Sequence, residues 1–363
     1  FATQLRAVSE TFIRRHLEDL APGETVAVCR MIGTEGPAPC PAFLAERWAL
    51  RLPVRLACRA GADRQTLLLA AVGRFLRQRE VSHVLGEYLD QFLDFVPLLR
   101  RLGLPFVVQG HGLDVSAALQ DPAIAERYGA YASAKAVLTR SEFHRRRLIA
   151  LGLPAAKVHV NPGGVDIPSA LPARDPQAGK RLLAIGRMIP KKSPILLLES
   201  FRLAAQADPG LTLDYVGDGP LFAAARDFVR ACELEERVRL HGSAPEAEKL
   251  RLLGECGVFV QHSVTDLDTG DEEGLPAAIQ EAMAYGLAVV STRHAGIPEA
   301  VIHGESGLLV GEGDVRGMAE ALRAVPARAA EFGAAGRRRA AACYGWEHER
   351  ARLRGWLFDE VAA

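Results

Sequence analysis

Glu273-Gly-Leu-Pro-Ala-Ala-Ile-Gln-Glu281 runs through Ala-Met-Ala-Tyr-Gly286 into Leu287-Ala-Val-Val-Ser291, and this stretch decides the fold class. Pro276 lacks an N–H and has a φ already near the helical value, so it suits the first turn of a helix over 277–285. Gly286 is placed to end that helix. The apolar run at 287–291 then reads as a strand buried on both faces. A helix feeding directly into a doubly buried strand is the unit of an α/β protein. Glu273 falls in the loop ahead of the helix and Glu281 two turns into it. A carboxylate so placed can accept two charge-assisted hydrogen bonds from a vicinal diol, each worth about 1.5–3 kcal/mol. Two glutamates eight apart also occur on solvated helices. Ile279, Ala282 and Met283, however, make the helix apolar around Glu281.

The same alternation extends outward on both sides. Strand signals at 181–186, 211–216, 237–240 and 257–261 each end in a turn. The first ends at Gly186 with Arg187 after it, and Lys191-Lys192-Ser193-Pro194 opens a helix reaching 207. The next two end in Gly217-Asp-Gly219-Pro220 and His241-Gly242-Ser243. Residues just past the carboxyl ends of strands in open α/β sheets face the ligand crevice. A cation at a strand's end and another at a helix's start can converge on one diphosphate, although such residues are also often merely solvated. The acidic loop with Asp266, Asp268, Asp271 and Glu272 does not have the spacing of a calcium loop.

Residues 1–172 alternate in the same way, predicting a second parallel sheet. Residues 1–5 read as the tail of a strand and Ser9 as the N-cap of the first helix, whose N-terminus is open to an anion. Residues 24–30 read as a strand, 33–41 as an irregular loop, 63–78 and 91–102 as helices, and 81–88 as containing a strand. Pro105-Phe-Val-Val-Gln109 is a short strand running into Gly110-His111-Gly112-Leu113-Asp114, so His111 sits at a strand end. His111 and Asp114 either brace that turn or face a ligand, and Asp114 could equally cap a helix. A strand at 135–140 precedes a helix capped by Ser141, with an Arg145-Arg-Arg147 run that is either solvated or a contact for phosphate or acidic lipid. Pro168, Pro172 and Pro176 mark a linker at 167–180.

With 363 residues, 49% hydrophobic, the chain is long enough for two cores. Lys plus Arg and Asp plus Glu balance at 44 each, which argues against a nucleic-acid partner. The halves differ, with 21 basic against 16 acidic residues in 1–172 and 23 against 28 in 173–363. A basic first half suits an anionic acceptor or a membrane surface as well as chance. No apolar run reaches the length of a spanning helix, no signal peptide is visible, and the chain opens at Phe1, with leading residues expected before it. The six cysteines show neither C-x-x-C spacing nor clustering with histidine, which predicts neither zinc nor disulfides and suits a reducing cytoplasm.

Taken together, Glu273 through Glu281, the Gly186-Arg187 and Lys192 pair, His111-Gly-x-Asp114 and the segments from His294 and His303 resemble a retaining glycosyltransferase of family 4. The Ser9-Glu-Thr-Phe start is similar to exopolysaccharide enzymes of the colanic acid and amylovoran type, although the Gly-Gly pair of many relatives is missing before it. The resemblance implies a GT-B fold: two Rossmann-like, doubly wound parallel-sheet domains facing across a cleft. The acceptor-binding domain would be 1–172 plus a crossover helix at 347–363, and the donor-binding domain 173–346.

It further implies that Glu281 holds the ribose hydroxyls and Glu273 the sugar hydroxyls, with Arg187 and Lys192 on the diphosphate. Lys191 is the rival for that second place. Gly186, Gly217, Gly219, Gly242, Gly274, Leu275 and Pro276 would line the donor site, with His111 on the transferred sugar and Asp114 and Ser9 on the acceptor side. The expected reaction moves a sugar from a UDP- or GDP-sugar to an acceptor hydroxyl, on a sugar or a lipid-linked saccharide, without a cofactor or an obligatory metal. Expected localisation is cytoplasmic, with room for peripheral contact at the inner membrane face. A GT-B sugar phosphorylase, a nucleotide-sugar epimerase and a non-catalytic nucleotide-binding homologue are the competing readings.

Overall fold

The computed structural model describes residues 1–5, 11–32, 40–175 and 177–359. Ser9, most of the 33–41 loop and Pro176 lie outside them. The described chain divides into two compact units. One comprises Phe1–Arg140, Arg145–Asn161 and Glu349–Ala363, the other Ser141–His144 and Pro162–His348.

The first unit holds β1 (Ala2–Leu5), β2 (Ala27–Ile32), β3 (Ala42–Leu44), β4 (Val84–Glu87), β5 (Phe106–Gln109), β6 (Ala136–Thr139) and β7 (Val158–Val160). They form two parallel ribbons, ordered β1-β2-β3 and β4-β5-β6-β7. Phe1 stitches the ribbons together: its amino group donates to Leu85 O at 2.7 Å and its carbonyl accepts from Glu87 N at 2.9 Å. Period-2 geometry sends Phe106 and Val108 to one core and Val107 to another. The second core is closed by Leu353 and Leu357 of the helix Trp346–Phe358. That helix gives the sheet a cover on its other face, which a strand such as Ala-Val-Leu-Thr139, buried throughout, requires.

The second unit holds β8 (Arg181–Ile185), β9 (Thr212–Val216), β10 (Val238–Gly242), β11 (Val258–Gln261), β12 (Ala288–Thr292) and β13 (Gly307–Val310). All pair in parallel, in the order β10-β9-β8-β11-β12-β13, so the order reverses between β8 and β11. Leu182 and Ala184 face the helix Pro194–Ala207, with Leu197, Leu198 and Phe201, while Leu183 faces Ile279 and Met283 on the opposite side. The first domain as read from sequence ends at 172, but the change of unit comes at Asn161/Pro162. Val165 N donates to Tyr344 O and accepts Trp346 N at its own carbonyl, at 2.8 and 3.0 Å, which binds the start of the linker to the second unit.

Other expectations shift locally. Strand β2 begins three residues later than read, and β3 falls just after a stretch read only as loop. The helix read over 91–102 is broken into Leu89–Phe92, a 3₁₀ turn and Val96–Leu102. Pro276 is the N-cap of the helix Ala277–Ala284, with ψ at 121°, one step outside the first turn expected for it. Gly286 does end that helix, at φ +73°, a left-handed conformation that favours glycine.

Candidate functional site

In the second unit the candidate donor-site residues gather at the carboxyl end of the sheet. Gly186 directly follows β8 and Gly217 directly follows β9, and the two turns lie against each other. Gly186 N donates to Val216 O at 3.0 Å and Met188 N to Asp218 O at 2.9 Å. A Cβ on Gly217 would stand 1.9 Å from the Gly186 carbonyl oxygen, and one on Gly219 would stand 2.7 Å from that of Met188. Only glycine permits this approach, which is why the turns carry it. Gly242 joins the group by accepting Gly217 N at 2.9 Å.

Arg187 follows this turn and is exposed. Lys192 folds back over Gly186, with its Cδ and Cε 3.5 Å from where a Cβ would be. Its Nζ lies 2.8 Å from Glu273 Oε1. That oxygen makes no hydrogen bond of good geometry, so the contact is an ion pair held by charge. Burial alone would raise the Glu273 carboxyl, but the ammonium groups of Lys192 and then Lys191 outweigh it and hold the group below its ordinary value, as a carboxylate.

The two lysines that the sequence left as rivals are placed differently. Lys191 is buried, with Nζ 3.0 Å from both Asp271 Oδ1 and Glu272 O, so its charge is already met by the acidic loop. Asp266 in turn accepts Asp268 N at 3.1 Å and the Thr269 hydroxyl at 2.6 Å, so this acidic stretch is tied up in organising itself. Lys192 is thereby the lysine that stands with Glu273.

His294, to which the sequence assigns no role, supplies the support beneath Glu273. Its Nε2 accepts Glu273 N at 3.0 Å while Nδ1 donates to Glu312 Oε1 at 2.8 Å, which fixes the tautomer. Gly274 O accepts Gly296 N at 3.2 Å, Leu275 and Pro276 are buried, and the Glu273 loop is thus pinned on three sides. Glu281 lies on the same helix as Ile279 and Met283 and accepts Lys249 Nζ at 3.3 Å. Burial would lower the Lys249 ammonium, but Glu281 and Glu246 outweigh it and raise the group, so Glu281 meets a full positive charge.

His111 and Asp114 belong to the first unit. Asp114 is fully buried and accepts Leu89 N, His111 N and Gly112 N at 2.8, 2.8 and 3.0 Å. Both of its oxygens are engaged in shaping the turn, so the bracing reading of Asp114 prevails over a direct acceptor contact. His111 is held more tightly than a free catalytic imidazole. Its Nε2 is 2.7 Å from Glu87 Oε2, and Arg140 Nε donates to Nδ1 at 3.3 Å. A guanidinium only donates, so Nδ1 is the acceptor nitrogen and the single ring proton points at Glu87. Phe12 and Tyr88 flank the ring, with centroids 4.5 and 4.7 Å away.

Around it lies a buried charge network that the sequence reading missed. His16 Nδ1 is 2.6 Å from Glu87 Oε1, His16 Nε2 is 3.5 Å from Glu349 Oε1, and Arg140 Nη1 donates to Glu349 Oε1 at 3.1 Å. Burial would lower His16, but Glu87 and Glu349 outweigh it and raise it to about 9. Glu349, raised by burial, is brought down to about 2 by His16 and the charge of Arg140. Glu87 goes down for the same kind of reason. One signal was available: Glu87 ends β4, His111 comes two residues after β5 and Arg140 directly follows β6, so they share a sheet edge. His16 and Glu349 come from helices and left no such trace. The Arg145-Arg-Arg147 run is not free either, since Arg145 Nε donates to Val158 O at 2.7 Å and Arg147 Nη1 to Val115 O at 3.1 Å.

Two units of parallel sheet with these strand-end turns define a GT-B protein, and solved structures agree. HepE of Anabaena, in complex with UDP, matches with a TM-score of 0.77 over 97% of each chain at 16% identity. The lipopolysaccharide outer core galactosyltransferase WaaB matches with 0.70 over 99% of each at 16%. The chain belongs to the family 4 glycosyltransferases: the model for Glycosyltransferase Family 4 matches residues 23–168, and that for Glycosyl transferases group 1 matches residues 173–337. AmsK of Erwinia amylovora, an amylovoran biosynthesis glycosyltransferase, is 36% identical over 194 residues, 53% of this chain and 47% of that protein. WcaL of Escherichia coli, named for colanic acid biosynthesis, is 31% identical over 275 residues, 73% of this chain and 67% of that protein. The chain thus spans about half the length of one of these relatives and two thirds of the other. Among the described residues no helix is long and apolar enough to cross a membrane.

Proposed function

We propose that the chain is a retaining glycosyltransferase that moves a sugar from a UDP- or GDP-sugar to an acceptor hydroxyl in the assembly of an exopolysaccharide. The observation that carries this reading is the Lys192–Glu273 pair beside the glycine turns and the exposed Arg187. A cation paired with a carboxylate is poised to exchange partners, the lysine taking a diphosphate oxygen and the carboxylate a sugar hydroxyl. Glu281 is assigned to the ribose diol. As the bond from the anomeric carbon to the diphosphate breaks, negative charge grows on the leaving oxygen, and Arg187 and Lys192 stabilise it. The acceptor oxygen bonds to the anomeric carbon on the same face, its proton passing to the leaving phosphate, and the α configuration of an α donor is kept. A fixed pair of cations serves here without an obligatory metal. A contact of His111 with the transferred sugar, and an acceptor presented at the inner membrane face, complete the proposal. UDP-bound HepE and the exopolysaccharide names of AmsK and WcaL support it.

The test is thermal stabilisation by UDP, GDP, ADP and dTDP in turn, with EDTA present. The matching nucleotide at a hundredfold its Kd should add about 2.7 kcal/mol. No stabilisation by any of the four overturns the diphosphate assignment. Stabilisation that EDTA abolishes overturns the metal-free one.

A further inference from the structure

The turn after β4 holds two side chains in unfavourable states. Tyr88 stands at φ 66° and ψ 110°, a positive φ that a bulky side chain rarely adopts. Leu89 beside it is fixed from both sides, its N–H on Asp114 Oδ2 at 2.8 Å and its carbonyl accepting the Tyr131 hydroxyl. Backbone strain persists only where the surroundings over-determine it, and it clusters at ligand sites. Here it brings the Tyr88 ring to His111, with centroids 4.7 Å apart. Two residues on, Asp90 is half-buried, yet its Oδ1 is shut off from water and makes no hydrogen bond. The groups around it do not compensate. The Tyr128 and Tyr131 hydroxyls donate to the carbonyls of Asp114 and Leu89, and Arg127, the cation close to Tyr131, is engaged by Asp94. Burial, and after it the charge of Asp114, pushes the Asp90 carboxyl up to about 6, and the backbone N–H groups of Gln91 and Asp90 offset this only in part. An ionisable group perturbed in this way beside a strained turn is a candidate for ligand binding.

The chemistry of the pair selects its ligand. A sugar ring offers an apolar face of C–H groups that packs on an aromatic ring, and hydroxyls at its edge that donate to a carboxylate. An anion would meet Asp90 and Asp114 together. A cation would meet Arg140, whose guanidinium lies against the same His111 ring. We propose that Tyr88 and Asp90 bind the acceptor saccharide, the Tyr88 ring against a C–H face of the sugar and the Asp90 carboxylate on one of its hydroxyls. The acceptor-side role that the sequence offered to Asp114 passes to Asp90, because both oxygens of Asp114 are engaged by backbone N–H groups. This inference rests on the glycosyl-transfer reading and names the acceptor contacts of that same site.

The experiment is saturation-transfer NMR of the full chain with methyl α-glucoside, methyl α-galactoside and methyl α-mannoside in turn, without nucleotide. Transfer to the ring C–H protons of at least one glycoside is expected. Asp90→Asn and Tyr88→Ala should each weaken its binding by roughly tenfold or more, the range of one lost charge-assisted hydrogen bond. Glu126→Gln, at an exposed acid of the same unit, should change little. Thermal melts add a readout that a structural role would not give. The Asp90 carboxyl is raised in the fold, so its contribution to stability is complete below 3.8 and is lost as pH rises through about 6. Asp90→Asn should therefore melt higher than wild type above pH 6 and lose that advantage on acidification. A variant that melts higher and binds less sugar has lost a ligand contact and kept its fold. The proposal is overturned by wild-type protein that binds none of the three glycosides, by binding that survives Asp90→Asn, by an equal loss in Glu126→Gln, or by Asp90→Asn melting lower than wild type above pH 6. Failure of the diphosphate assignment shows separately, as absent stabilisation by nucleotides.

Discussion

Both units place charged side chains at the carboxyl ends of parallel strands, yet they use them in opposite ways. In the first unit Glu87, Arg140, His16 and Glu349 close on one another, and His111 is locked among them with its proton committed. In the second, Lys191 is neutralised by Asp271, whereas Lys192 has Glu273 as a partner it can exchange and Arg187 is exposed. The difference teaches where to look for ligand chemistry. A closed network builds a rigid edge, and a network left one anion short is built to receive one.

The sharpest way to break this contrast is to remove one member of the closed network. Glu349→Ala leaves Arg140 and His16 buried without their shared carboxylate, and urea denaturation should show a loss of about 3–5 kcal/mol. A near-neutral result would mean that the network is open to water and that the two units do not differ. Next in size, Lys192→Ala should lower kcat by roughly 10²–10³-fold, in the range of a lost transition-state donor, while it costs less stability than Glu349→Ala because Lys191 still lowers Glu273. If stability falls as it does for Glu349→Ala, the pair is structural and the contrast fails.

The pH dependence of stability sharpens the same comparison. His16, raised to about 9 from 6.5, contributes stability that is complete below 6.5 and is lost as pH rises through 9. Glu349, lowered to about 2 from 4.5, contributes stability that is complete above 4.5 and is lost as pH falls through 2. The network is therefore strongest between 4.5 and 6.5. His16→Gln should flatten the alkaline side of the stability curve and also weaken the acid side, because Glu349 and Glu87 owe part of their lowering to His16, and a pH series of thermal melts would read both. The smallest effect is expected from Lys191→Met, which removes a charge already met by Asp271. Turnover should fall far less than for Lys192→Ala, and equal losses would return Lys191 to the diphosphate site.

How much of this was legible can be judged residue by residue. The strand ends announced themselves, because an apolar run stopping at glycine is local in the chain: Gly186, Gly217, Gly219 and His111 were all placed by that rule. Pro276 stands one position outside its expected place, since its ring fixes φ alone and leaves ψ, here 121°, free to suit either the N-cap or the first turn. Lys191 and Lys192 were indistinguishable, because adjacent residues of one type differ only in what lies opposite them. Asp114 has three readings in the sequence, and the three backbone N–H groups that converge on it decide between them.

The sequence by itself determined the α/β class, the glycine-turn architecture and the family, because periodicity, turn chemistry and the Glu273 to Glu281 motif are properties of neighbouring residues. Only the tertiary structure decided which charges are closed and which are open. His16, Glu87 and Glu349 are separated by dozens to hundreds of residues, and nothing in the chain around any of them specifies that they meet. Burial in a common low-dielectric edge turns three ordinary side chains into one network, and that burial exists only when the strands and the last helix have packed.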